Sequence, residues 1–131
     1  MSIIIYRSID IENEVRLALK DHFKVYVRPL PENFETPSVL IELMGGTSAK
    51  TIDNFIVRFS ARAETDADAL DLLRTVLGFL KYQTEEQFGE LRYSEEQTMT
   101  SWGTDPVRPD LKLCQATVEI VAHKEPYEIE S

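Results

Sequence analysis

The chain has 131 residues, enough for one domain with a single core and too few for two comfortable ones. Hydrophobic residues make up 43% and charged residues 28%, ordinary proportions for a soluble globular domain, which argues against disorder throughout. Asp and Glu total 23 against 14 Lys and Arg, and the resulting net charge of −9 repels nucleic-acid phosphates and anionic membrane surfaces alike.

The opening "MSIIIYRSID" has no basic stretch before its short apolar run, and no segment reaches roughly 18 consecutive apolar residues. Synthesis inside the cell, without a signal peptide or membrane span, is therefore expected. Ile3, Ile4, Ile5 and Tyr6 read as a sheet-edge strand or as an arm, residues 1–8, that adds to a neighbour. Ile11, Val15, Ala18, Leu19 and His22 then fall on one stripe, which predicts a helix over residues 10–22 capped by Ser8 or Asp10.

"FKVYVRP" predicts a short strand stopped by Pro29 and Pro31, and residues 29–36 a loop. "PSVLIELM" predicts the next strand. The clearest alternation comes in "NFIVRFSARAE", where Phe55, Val57, Phe59, Ala61 and Ala63 oppose Arg58, Ser60, Arg62 and Glu64. One buried and one wet or partner-covered face is the behaviour of an antiparallel sheet.

"TDADALDLLRTVLGFLKYQ" predicts a second helix, with Thr65 as N-cap and Asp66 and Asp68 where the helix dipole favours negative charge. "ELRYSEEQTMTSW" and "LKLCQATVEIVAHK" predict a last strand pair joined by "GTDPVRPD". Residues 125–131 read as an acidic tail. The predicted order is α-β-β-β-α-β-β: one α+β domain, an antiparallel or mixed sheet with two helices on its apolar face.

"ELMGGTSAKT", residues 42–51, looks like a phosphate-binding loop. Aligned on Lys50 and Thr51, however, it puts Met44 and Ala49 where the motif requires glycine, and a strand follows where a helix should open. A hairpin connection is the better reading. The connections at residues 45–53 and 103–110 are both long, and are expected to be mobile until a partner orders them.

The single cysteine, Cys114, excludes an internal disulfide and a multi-Cys zinc site. It lies within an apolar alternation, so an inert buried thiol is expected over a nucleophile. His22 and His123 lack metal-ligand spacing. The Asp-rich "ETDADALD" at the start of the second helix lacks the Gly and terminal Glu of a calcium loop and reads as a helix N-terminal charge cluster. No catalytic, cofactor or metal residue is predicted. The candidate partner contacts are Ile3, Ile4, Ile5 and Tyr6 on the arm, and Arg58, Arg62 and Glu64 on the sheet's polar face. Thr47 and Lys50 join them from the first connection, and Trp102 and Arg108 from the second.

Taken together, the first helix, "PSVLIELMGG", the strand-to-helix passage "FIVRFSARAETDADALDLL" and the closing "SWGTDPVRPDLKLCQATVEIVAHK" resemble a known family. It is that of the tail-terminator (tail-completion, head–tail joining) proteins of long-tailed bacteriophages and prophages. The likeness covers most of residues 9–124 as a pattern of elements and spacing. It implies a subunit without catalytic residues that assembles into a ring, commonly a hexamer, capping the tail tube and receiving the DNA-filled head. Its partners would be other copies, the tail-tube protein and a head-completion or connector protein. It would reside in the virion tail or neck after synthesis in the bacterial cytoplasm. Acid excess suits a ring through which DNA slides. The alternatives are another tail or neck subunit, a small ligand-binding or regulatory α+β domain, and an enzyme using Cys114.

Overall fold

A computed structural model describes residues 1–97 and 101–130. The strands are β1 (Ser2–Arg7), β2 (Val25–Val27), β3 (Ser38–Ser48), β4 (Ile52–Ala63), β5 (Leu91–Glu96), β6 (Ser101–Thr104), β7 (Lys112–His123) and β8 (Glu125–Glu130). The helices are α1 (Ile11–Leu19) and α2 (Asp66–Glu85). The main sheet runs β2-β3-β4-β7-β5, with β6 beside the other half of β7, and only β2–β3 is parallel. This is the expected α+β class, with a mixed sheet.

Each helix starts where its sequence says it should. The Asp10 carboxylate accepts the N–H of Asn13 at the head of α1, and Thr65 Oγ1 accepts that of Asp68 at the head of α2. Ile11, Val15 and Leu19 of α1, with Leu73, Val76 and Leu80 of α2, cover the apolar face of the sheet. Phe59 lies fully buried on β4 in that core, and its burial contributes about 2–3 kcal/mol. α1 is shorter than the expected 10–22. His22 and Phe23 both turn back to the carbonyl of Leu19, and their rings meet Phe79 of α2 edge-on.

β3 also departs from expectation. The residues expected as a long mobile connection are mostly strand: Gly45 and Gly46 lie inside β3 beside a bulge, and only residues 49–51 turn. Both glycines have positive φ, 153° and 146°. A Cβ on Gly46 would stand 2.0 Å from the Asn54 carbonyl oxygen, a backbone atom that cannot step aside. Gly46→Ala is therefore expected to cost about 2–3 kcal/mol in urea unfolding, through strain and clash together. A loss under about 0.5 kcal/mol would contradict the close approach of β3 and β4. β2 covers the outer edge of β3 only at Val39–Ile41. Just beyond, the Glu12 carboxylate of α1 accepts the Leu43 N–H at 2.9 Å and an Arg28 N–H at 2.6 Å, which satisfies one donor of that edge.

The residues expected to be an acidic tail are instead a strand. β8 pairs antiparallel with β1 along its length, Ser2 opposite Glu130 and Arg7 opposite Glu125. The pattern behind this is period two: Tyr127 and Ile129 alternate with Pro126, Glu128 and Glu130, which gives β1 a matching partner. Residues 1–8 are thus half of a two-stranded ribbon rather than a single-stranded arm.

Candidate partner surface

The ribbon is about 20 Å long at roughly 3.3 Å per residue. The register places Ile3, Ile5, Tyr127 and Ile129 on one face, and Ile4, Tyr6, Pro126 and Glu128 on the other. All of these side chains are exposed, Ile4 at 55% and Tyr6 at 68%. An isolated two-stranded ribbon is marginal in water. Exposed apolar surface of this kind is where proteins commonly meet partners.

Where the ribbon joins the body, half-buried Lys124 pairs with buried Asp53. Asp53, at the start of β4, accepts from Ser48 Oγ at 2.6 Å and faces Lys124 Nζ at 3.2 Å; Lys124 Nζ also reaches Ser48 Oγ at 2.7 Å. Lys124 is the single residue between β7 and β8, so this contact fixes where the ribbon leaves the sheet. Burial pushes the Asp53 carboxyl up. Hydrogen bonds from Ser48, Ser8 and Lys124, and the Lys124 charge, outweigh it and hold the group below the ordinary aspartate range. Above this base, Arg7 pairs with Glu125 at 3.0 Å and lies 3.8 Å over the Tyr127 ring.

At the opposite end of β4, two loops fold over the face that the helices leave open. Phe34, Leu40, Leu111 and Leu113 are buried there, outside the main core. Asp105 accepts Arg62 Nε at 2.6 Å and also the N–H groups of Val107 and Arg108, both at 2.9 Å, and so shapes its own loop. The ring of Phe34 sits near both Arg62 and Arg108, and Arg108 Nη1 donates to the Phe34 carbonyl. Burial raises the Asp105 carboxyl, while the Arg62 and backbone hydrogen bonds and the Arg62 charge lower it further than burial lifts it. Between the two ends the open face carries half-buried Glu42, Ile56, Arg58, Thr117, Glu119 and Val121.

The expected contact residues therefore fall into separate places. Ile3, Ile4, Ile5 and Tyr6 stand on the ribbon, and Thr47 and Lys50 are exposed beside its base. Tyr6, Lys50, Thr51, His123 and Lys124 line a recess of about 340 Å³ there. Arg58 is paired with Glu42 directly across the β3–β4 ladder, at 2.9 Å. Arg62 requires correction: at 8% exposure it is a buried member of the Asp105 pair, not a wet or partner-facing residue, because the chain's own loops cover that part of the sheet. Arg108 is half-buried and engaged with Phe34, so the loop carrying it is tied down by its own contacts. Trp102, on β6 opposite Cys114, is 52% exposed. Glu64 is exposed on a cleft of about 540 Å³ lined by Asp68, Asp71, Phe23 and Leu72.

The chemistry of the remaining candidates is quiet. Cys114 is buried, and burial, with the nearby Asp66 charge, pushes its thiol up, away from the thiolate that a nucleophile needs. Lys50 and Thr51 sit in a turn between two strands, with no helix N-terminus to meet a phosphate. Among the described residues no three His, Cys, Asp or Glu side chains gather as a metal site, and no helix is long and apolar enough to cross a membrane. Sequence reasoning did not reach Asp53, Ser48, Lys124, Asp105, Phe34, Tyr127 or Ile129. For the last two, the period-two pattern of "EPYEIES" was the available signal. No family model and no curated protein matches the chain.

Proposed function

We propose that the chain is a structural subunit of a phage or prophage tail, a tail terminator that assembles as a ring, most simply a hexamer. The observation that carries this reading is the ribbon: a two-stranded element whose Ile3, Ile5, Tyr127 and Ile129 face is exposed on the single subunit. An element of this kind seats on a surface of the next copy unlike itself, and head-to-tail contact of unlike surfaces closes into a ring when the rotation permits. The ribbon base at Asp53 and the loops at Arg62 lie near opposite ends of the 12-residue strand β4, roughly 30 Å apart. In this reading one end meets the tail-tube protein and the other a head-completion or connector protein. A net of −9 per subunit keeps DNA moving through the ring without sticking, and it leaves no role for sequence-specific nucleic acid or a membrane.

The alternative of a small ligand-binding or regulatory domain draws on the Glu64, Asp68 and Asp71 cleft, which suits a cationic ligand. The readings separate on tail tubes grown in the presence of the protein. A terminator stops elongation and is found at one end of each tube, and Tyr127→Ser with Ile129→Ser removes that effect while the subunit still folds. Tubes that elongate unchanged at saturating protein would rule the terminator out.

A further inference from the structure

The two free edges of the ribbon are unlike. β8 contains Pro126, which lacks an N–H, together with Glu125, Glu128 and Glu130, all features that discourage strand addition. β1 has no proline and a single charge, Arg7, so its edge is open. Its sequence is also self-complementary. In an antiparallel pairing centred on Ile4, Ile4 faces Ile4 of a second copy, Ile3 faces Ile5, and Ser2 faces Tyr6. The central pairs are all β-branched, the kind that stabilises cross-strand contacts. The two Arg7 side chains end up roughly 20 Å apart, beyond the screening length of physiological salt. Pairing β8 with β8 would instead bring six carboxylates together (three from each copy), and pairing β1 with β8 would meet the missing donor of Pro126.

We propose that β1 is a self-recognition edge. Two copies pair β1 to β1 about a two-fold axis at Ile4, and the ribbons merge into a four-stranded sheet, β8–β1 of one copy continuing into β1–β8 of the other. The gain is the one an isolated two-stranded ribbon lacks, since sheets become stable at three or more strands with an apolar face. Merging joins the Ile3, Ile5, Tyr127 and Ile129 faces of both copies into one surface. The contact is isologous and closes at two. It uses the edge of the ribbon, whereas the ring uses its face, so it holds whether or not the protein caps a tail.

The test is register-specific disulfide capture in the full-length chain, whose own Cys114 is buried. Directly opposed residues of an antiparallel pair have Cα atoms roughly 4.5–5.5 Å apart, within disulfide reach. Under oxidised glutathione, Ile4→Cys is expected to give a covalent dimer at least about tenfold faster than Ser2→Cys or Tyr6→Cys alone. Mixing the Ser2→Cys and Tyr6→Cys chains should restore rapid capture as a heterodimer. In sedimentation, Ile4→Lys should convert any wild-type dimer to monomer by placing two cations face to face. Ile4→Cys capture no faster than that of Ser2→Cys, or no gain on mixing, would overturn the proposal. So would a wild-type oligomer whose native mass Ile4→Lys leaves unchanged, an outcome that would leave the ring itself standing.

Discussion

Asp105→Ala should destabilise the folded chain by about 3–5 kcal/mol, read as a fall in the urea midpoint at constant slope. Arg62 is buried on the sheet, its Nε is held by Asp105, and its Nη1 has no hydrogen-bond partner. Removing the carboxylate strands a guanidinium out of water, which costs far more than losing a surface pair. The same change frees the N–H groups of Val107 and Arg108, so the loop should lose its hydrogen-exchange protection as well. Adding Arg62→Met to Asp105→Ala should recover part of the loss, because the buried charge is then gone. A loss below about 1 kcal/mol would mean that the pair behaves as an exposed one.

Lys124→Ala should cost on the order of 3 kcal/mol at neutral pH, and the cost should shrink in acid. The variant leaves the Asp53 carboxylate buried with only the Ser48 and Ser8 hydroxyls to donate to it and no cation beside it. The sign follows from the depressed Asp53 carboxyl. Its ionised, paired form stabilises the wild type fully above the unfolded value near pH 4, and that stability drains away as pH falls through the lower folded value. In the variant, protonation relieves the stranded charge instead. The two melting curves should therefore converge below about pH 4. Because Lys124 sets the exit of the ribbon, the variant should also assemble poorly at neutral pH. Equal differences at pH 7 and pH 3 would show that Asp53 does not carry the effect.

The strands of the body were legible because burial on one face writes period two into Phe55–Ala63 and Cys114–Ala122. The start of α2 was legible through Thr65 and its acidic first turn. The ribbon was not, because "EPYEIES" looks like a solvated tail until a second strand is found for it, and that partner lies 118 residues away for Arg7 and Glu125. Gly45 and Gly46 looked like a turn because strands rarely hold adjacent glycines; here a bulge and the close approach of Asn54 require them. Arg62 looked wet because its alternation matched Arg58. Only the long-range contact with Asp105, 43 residues on, separates the two. Of the expected contact surface, the apolar run at residues 3–6 was legible, while the charges that fix its position were not.

The ring is tested most directly by native mass measured on the full-length protein across salt and concentration, with and without tail tubes. Closed-ring assembly predicts one discrete oligomer, a hexamer in the simplest case. It should be favoured by moderate salt, which screens the repulsion between acidic subunits within about 10 Å at 0.1 M, and abolished by deleting residues 2–6. A species that stays monomeric at millimolar concentration, at every salt level and beside tail tubes, would contradict it.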